Sequence, residues 1–165
     1  ERLHDELSKA ANIASTLLAR GEDPGGFSGL VENSTVAACT IARRWARTIV
    51  PGDTVLVLSV AYAANLNILR EYCVAAGADI QVIQVPFPVS SATEVLEAIR
   101  TQLQSNRGSL KKAARFAMLD HVSSQPAILL PIREITQLVR QFGAEDMEIA
   151  VDGAHSVGSC SFDVR

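Results

Sequence analysis

A carboxylate and an imidazole follow the last apolar run of the sequence, with the small residues Gly153 and Ala154 between them. The run over residues 149–151 predicts a buried strand that ends at Asp152. In an open α/β sheet, ligands bind at the carboxyl ends of the strands. The small residues would let a flat ligand approach the backbone. We therefore expect Asp152 and His155 to belong to a binding site, although Asp152 could instead act as an N-cap or pair with an arginine.

Hydroxyl and aromatic side chains follow two earlier apolar runs. Ser34 and Thr35 stand at the start of a predicted helix. The free N–H groups of a helix start, together with two hydroxyls, suit a phosphate, but the same residues could form an ordinary N-cap. Tyr62 lies among alanines at a predicted strand-to-helix junction. Its ring could stack on a planar ligand or fill the core.

A polar loop follows the strand predicted over residues 115–120. Asp120 and His121 are adjacent, so their side chains should point in different directions. A structural and a chemical role for His121 both stay open. Ser123 and Ser124 could make turn hydrogen bonds only.

Two other kinds of protein are compatible with some of these residues. A metal-dependent hydrolase could use Asp120, His121, Asp152 and His155, but an Asp-x-x-His pair alone supplies too few ligands. The sequences GxGxxG and GxxxxGK[ST] are absent, which argues against a dinucleotide or P-loop site. A non-catalytic α/β scaffold is the remaining alternative.

Helix and strand patterns alternate along the chain and must position these side chains. Apolar spacing predicts helices over residues 2–20, 35–48, 64–76, 91–103 and 131–142. Short apolar runs predict strands over residues 28–32, 54–59, 80–85, 115–120 and 147–152. Such alternation is typical of a single α/β domain with a mainly parallel sheet and helices on both faces. The first helix could pack separately.

The composition of the chain argues against nucleic acid and membranes as partners. The chain has 165 residues, of which 48% are hydrophobic, enough for one globular domain. A net charge of -3 without a basic run argues against nucleic acid, and apolar segments of strand length argue against a membrane span. The separated cysteines Cys39, Cys73 and Cys160 fit neither a disulfide framework nor a metal site, and they indicate small buried residues in a reducing compartment. We expect a cytoplasmic protein.

Several segments, in order along nearly the whole chain, resemble the class V aminotransferase family of fold-type I pyridoxal-phosphate (PLP) enzymes. The similarity is greatest to the isopenicillin N epimerase-like branch. The segments that carry the resemblance are residues 31–35, 51–57, 61–62, 119–126, 130–134 and 151–158. Because the match depends on all of these segments together, it is far more specific than any single motif.

The resemblance implies a role for each candidate residue. Ser34 and Thr35 would bind the phosphate of the cofactor, and Tyr62 would stack on the pyridine ring. Asp152 would pair with the ring nitrogen. A buried carboxylate there would favour the protonated nitrogen, which strengthens the cofactor as an electron sink.

Two further positions match family residues near the phenolic oxygen of the cofactor. They are Ser124, where other branches have Asn, and His155, where the desulfurase branch has Gln. The implied substrate is an amino acid, and transamination, epimerisation and β-elimination all remain open.

The family also has a Schiff-base lysine and a small C-terminal domain. The lysines of this sequence are Lys9, Lys111 and Lys112, and none lies in a matching context. We therefore expect residues 1–165 to be part of the large cofactor-binding domain, inactive alone, with the lysine following Arg165. The full-length protein is expected to be a homodimer.

Overall fold

The structure is a computed structural model that describes residues 2–18, 29–106 and 114–161. The described helices are α1 (Arg2–Leu18), α2 (Ser34–Ala46), α3 (Ala63–Leu69), α4 (Ala92–Asn106) and α5 (Ile132–Phe142). A π-helical segment, Arg70–Val74, continues α3. The strands are β1 (Thr54–Leu58), β2 (Asp79–Ile83), β3 (Ala114–Asp120) and β4 (Gly143–Asp152).

The four strands form one parallel sheet in the order β2-β1-β3-β4. The chain runs outward from β1 to β2, returns through α4, and continues on the other side of β1 with β3 and β4. The direction of winding therefore reverses between β1 and β3, and such a switch point is where open α/β sheets bind ligands. The predicted α/β fold with helices on both faces is confirmed.

Two apolar clusters cover the two faces of the sheet. Alternation along β1 sends Val55 and Val57 to the cluster that contains Trp45 of α2 and Leu69 of α3. The other cluster lies on the opposite face, where α4 and α5 pack: Leu56, Leu58, Val95, Ile99, Ile135 and Leu138 are among its members. On any one strand, a residue two positions beyond a member of the cluster that contains Trp45 and Leu69 therefore points to the same face, which we call the α2/α3 face.

Two turns at the amino end of the sheet follow the sequence signals. Gly52 and Gly77 have φ values of 90° and 103°, which favour glycine. A Cβ atom on Gly77 would also lie 3.3 Å from Pro51. These glycines therefore allow the chain to turn sharply before β1 and before β2.

One predicted strand is wrong. Residues 29–32 of the segment predicted over residues 28–32 form no strand, and residue 28 lies outside the described residues. Leu30 and Val31 are about half exposed and pair with no strand of the described part of the chain. An apolar run without a hydrogen-bonding partner strand does not become part of a sheet, and here it leads into α2 instead.

Two other expectations can be compared with the structure. Cys73 is buried, as predicted, and burial raises the pKa of its thiol to about 11, whereas Cys39 and Cys160 are only partly buried. Among the described residues, no helix is both long and apolar enough to span a bilayer.

Candidate functional site

Asp152 stands at the carboxyl end of β4, and both of its carboxylate oxygens accept hydrogen bonds. Oδ2 accepts from Asn65 Nδ2 of α3 at 2.7 Å, and Oδ1 accepts from the Ala154 backbone N–H at 2.9 Å. Asn65 is itself buried. The carboxylate is thus oriented by one neighbouring helix and by its own turn, rather than free to rotate in solvent.

A cavity of about 150 Å³ joins Asp152 to the start of α2. Both Ser34 and Asp152 line it. The remaining lining residues are small or apolar: Ala37, Ala38, Ile41, Met118, Ala150, Val151, Gly153 and Ala154. The structure therefore brings together two of the six predicted site residues around one cavity.

The N-cap of α2 is Asn33, not Ser34 or Thr35. Asn33 Oδ1 accepts a hydrogen bond from the Val36 N–H at 3.0 Å. Ser34 and Thr35 are exposed on the first turn, and neither has a hydrogen-bond partner through its side chain among the described residues. The alternative that these two residues cap the helix is wrong. Their hydroxyls stand free at the positive end of the helix dipole.

Tyr62 is the residue that precedes α3, and 46% of it is exposed. The alternative of a core aromatic is therefore wrong. Its backbone N–H donates to Asp120 Oδ1 at 3.4 Å. This hydrogen bond crosses the switch point between β1 and β3, and it links the start of α3 to the carboxyl end of β3.

Asp120, which the sequence indicated only as a residue of the metal-dependent hydrolase, lies at the same end of the sheet as Asp152. It is only 3% exposed, and it is the register partner of Asp152 on the neighbouring strand. Burial, followed by the negative charge of Asp152, raises the pKa of Asp120 to about 6, with the Tyr62 N–H and His155 acting in the opposite direction. The sequence contained a signal for this placement, because Asp120 and Asp152 each end an apolar run that predicts a strand.

Ser124 and His155 lie in the loops beyond β3 and β4, and neither lines the cavity. His155 is exposed, and its charge lowers the pKa of Asp120, so it belongs to the same end of the sheet. The neighbouring Ser123 is structural, since its Oγ accepts from the Ile128 N–H at 3.1 Å and donates to the Pro126 carbonyl.

His121 lies away from the cavity. Its Nδ1 is 2.9 Å from Ser156 Oγ, and burial lowers its pKa, which favours a neutral ring in a structural hydrogen bond. His121 lines a larger cavity of about 530 Å³ that also includes Val95 of α4 and Ile132 of α5. We place the candidate site at the smaller cavity, because the oriented carboxylate and the helix start meet there.

The geometry does not favour the metal-dependent hydrolase. Residues 2–18, 29–106 and 114–161 contain no group of three or more His, Cys, Asp or Glu side chains that could hold a metal ion. The site instead suits a flat ligand with an anionic group at one end and a protonatable nitrogen at the other. The helix start would receive the anion, and the carboxylates would receive the nitrogen.

Comparison with known proteins gives a family match over most of the chain. The model of the family described as Aminotransferase class-V matches residues 30–165. A protein of Arabidopsis thaliana named "L-cysteine desulfhydrase" is 31% identical over 141 residues, which is 82% of this chain and 30% of that protein. A second Arabidopsis protein, "Probable L-cysteine desulfhydrase, chloroplastic", is 28% identical over 170 residues, or 100% of this chain and 35% of that protein.

A solved structure shares the fold. It is a variant of C-DES with glycine covalently linked to its PLP cofactor, and it superimposes with a TM-score of 0.72. The sequences are 18% identical, and the match covers 96% of this chain and 38% of that chain. The present chain thus spans about a third of the length of the curated relatives it matches.

Proposed function

The chain belongs to the class-V aminotransferase family, and we propose that it forms the cofactor-binding part of a PLP enzyme that acts on an amino acid. The observation that supports this proposal most strongly is the orientation of Asp152 at a cavity that the start of α2 also lines. Family membership implies PLP as the cofactor. The residues present fit this group, because the buried carboxyl of Asp120 beside Asp152 leaves one oxygen without a partner among the described residues.

Asp152 would hold the pyridine nitrogen in its protonated form. An opposite charge beside a base favours its charged form, and the hydrogen bonds from Asn65 and Ala154 fix the direction of the carboxylate. PLP, when bound, supplies an electron sink for the electron pair left at Cα when a substrate proton is lost. The contribution of Asp152 is to keep the positive charge on the nitrogen.

The phosphate would bind at the first turn of α2. Ser34 and Thr35 offer hydroxyls there, and Asn33 leaves them free by supplying the cap. The partial positive charge of the helix start adds to these donors. Tyr62 would cover one face of the ring with its exposed aromatic side chain.

Ser124 and His155 would lie near the phenolic oxygen of the cofactor. Both belong to loops at the carboxyl end of the sheet, which agrees with this assignment. His155 is exposed and can donate a hydrogen bond from its ring. Its electrostatic influence on Asp120 supports a position beside the carboxylates.

For the whole protein we propose β-elimination from L-cysteine or a related amino acid. The proposal is supported by the relatives named as L-cysteine desulfhydrases, which match 82% and 100% of this chain. The isopenicillin N epimerase-like branch stays a prediction without support from these relatives. A homodimer is likewise proposed from the family, as is the assignment of residues 1–165 to part of its large domain.

Two further expectations stay predictions. The first is that none of Lys9, Lys111 and Lys112 is the Schiff-base lysine. Lys111 and Lys112 lie outside the described residues. A cytoplasmic location is not supported by the relatives, since one of them is named as chloroplastic.

The test is substitution of Asp152 in the full-length protein. We expect Asp152→Asn to preserve the shape of the side chain, to remove its charge, and to lower the rate of sulfide release from L-cysteine by about 100-fold or more, the scale of losing one preorganised electrostatic partner. The absorbance of bound PLP should change as well, because the ring nitrogen loses its counter-charge.

Asp79→Asn serves as the matched control, because Asp79 is an exposed aspartate at the amino end of β2. It should leave PLP binding and turnover unchanged. Equal turnover in Asp152→Asn and the wild-type protein would remove Asp152 from the proposed role. PLP binding with turnover of another amino acid only would retain the site and reject the substrate.

A further inference from the structure

We propose that Asp120 is a positioning residue of the cofactor site, which anchors the backbone of Tyr62 and acts as a titratable second carboxyl beside Asp152. The proposal rests on the proposed function, since it concerns the same cofactor. It adds a residue that the family resemblance did not assign to the site. It also predicts that the affinity of the site for PLP depends on the protonation of Asp120.

Asp120 lies beside Asp152 at the carboxyl end of the sheet. Asp120 and Asp152 are register partners on β3 and β4, so their side chains leave the sheet on the same face. That face is the α2/α3 face, because Met118 and Ala150, two residues earlier on each strand, pack in the cluster below α2 and α3. Asp120 therefore lies at the switch point and on the same side as the cavity.

Asp120 is also linked to the backbone of Tyr62. The N–H of Tyr62 has no helical acceptor, because it precedes α3, and Asp120 Oδ1 accepts from it at 3.4 Å. The Asp120 carboxyl therefore fixes the backbone of the residue whose ring is proposed to cover the cofactor. Loss of this acceptor would free the start of α3.

One oxygen of the Asp120 carboxyl lacks a hydrogen bond within the described part of the chain. Oδ2 is buried and has no hydrogen-bond partner among the described residues. The titratable groups that act on Asp120 are Asp152 of β4 and His155 of the following turn. A buried carboxyl beside a carboxylate binds its proton more tightly, and this agrees with the pKa of about 6 for Asp120.

A change in the charge of Asp120 should be felt by the cofactor. As the pH rises through about 6, Asp120 loses its proton. The site then contains two carboxylates, which favour a positively charged ring nitrogen more strongly than one does. Binding of protonated PLP should therefore tighten as Asp120 ionises, and a variant without this ionisation should lack that step.

The experiment measures the dissociation constant of PLP from the full-length protein between about pH 5 and pH 8, by cofactor absorbance. In Asp120→Asn the side-chain oxygen can still accept from Tyr62, but the group cannot ionise. We expect the affinity of the wild-type protein to rise by about 5-fold more than that of Asp120→Asn over this range, the scale of one partly screened charge interaction.

Asp120→Ala removes the acceptor as well. Its PLP affinity should be about 5-fold lower than that of Asp120→Asn at every pH, in keeping with one lost hydrogen bond. Asp79→Asn, the exposed control, should match the wild-type protein throughout. If Asp120→Ala does not fold, the pH profile of the isosteric Asp120→Asn still decides the titratable role.

The outcomes separate this inference from the function on which it rests. A wild-type protein that does not bind PLP overturns both. PLP binding with identical pH profiles for the wild-type protein and Asp120→Asn overturns the titratable role of Asp120 alone. Equal affinities of Asp120→Asn and Asp120→Ala overturn the anchoring of Tyr62.

Discussion

Each end of the parallel sheet contains a buried aspartate, and the two aspartates differ in their charged and hydrogen-bonding partners. At the amino end, Asp53 is fully buried and its Oδ2 lies 2.6 Å from Arg115 Nη1. The same oxygen accepts the Val50 N–H at 3.0 Å. At the carboxyl end, Asp120 Oδ1 accepts the Tyr62 N–H at 3.4 Å, and the charge of His155 lowers the pKa of Asp120.

This difference separates a structural carboxylate from one that we propose to be functional. A charge is buried at low free-energy cost only when the protein supplies a partner. At the amino end, Arg115 supplies it from within the fold, and its guanidinium also lies 5.1 Å from the ring centroid of Phe116. At the carboxyl end, Asp120 lies beside a second carboxylate, Asp152, and we propose that a bound cation or a proton balances this charge.

The largest effect is expected from breaking the amino-end pair. Arg115→Met keeps much of the apolar stem but removes the guanidinium that lies 2.6 Å from the buried Asp53 carboxylate. We expect the free energy of unfolding to fall by about 3 kcal/mol, as for other broken buried pairs. Urea denaturation of the cofactor-free protein measures this change.

The matched control removes both charges. Asp53→Asn combined with Arg115→Met should recover part of the lost stability, since the buried charge of Asp53 and the guanidinium that balances it are then removed together. A double variant as unstable as Arg115→Met would show that packing of the arginine stem, and not the charge of Asp53, determines the effect. PLP binding should be unaffected by either variant when folded.

A smaller effect is expected at the carboxyl end, and it should depend on pH. The folded protein binds the Asp120 proton more tightly than the unfolded chain, because the pKa rises from 3.8 to about 6. At about 1.4 kcal/mol for each tenfold change in proton affinity, this difference amounts to about 3 kcal/mol at most.

The sign follows from which state holds the proton. Below about pH 4 both states are protonated, and as the pH rises to about 6 the unfolded chain releases its proton first, so the wild-type protein loses stability relative to Asp120→Asn. Above about pH 6 the difference should be constant. The measurement is urea denaturation of both cofactor-free proteins at several pH values, and a difference independent of pH would contradict the buried, titratable Asp120.

The comparison also explains which parts of the molecule could be predicted from the sequence. The strands that end at Asp120 and Asp152 are strong apolar runs, so both carboxylates were placed at the correct end of the sheet. The sequence could not show that they are register partners, because register depends on how strands pair in space. Asn65 was missed for a related reason, because its hydrogen bond to Asp152 depends on how α3 packs against the sheet.

Local signals failed where tertiary context decides. The run at residues 28–32 has the composition of a strand, but no neighbouring strand pairs with the described part of it. The helix that begins near Ser34 was predicted within a residue, yet the capping side chain is Asn33. This shift of one position changes the interpretation of the two hydroxyls, since it leaves them available to a ligand.

The smallest effect is expected from an ion pair that resembles the amino-end pair in chemistry but not in burial. Arg44 Nη2 lies 3.5 Å from Glu148 Oε1, and the two side chains are 58% and 43% exposed. Glu148 also accepts the Trp45 Nε1–H at 3.0 Å, so it keeps a partner when the arginine is removed. Arg44→Ala should therefore lower the free energy of unfolding by about 0.5 kcal/mol or less.

Arg43→Ala is the matched control, because Arg43 is an exposed neighbour on α2 that makes no ion pair among the described residues. Both variants should unfold at urea concentrations close to that of the wild-type protein, and the small loss in Arg44→Ala should disappear at high salt. A loss in Arg44→Ala as large as that in Arg115→Met would mean that burial does not distinguish the two pairs. The contrast between the ends of the sheet would then have to rest on ligand binding alone.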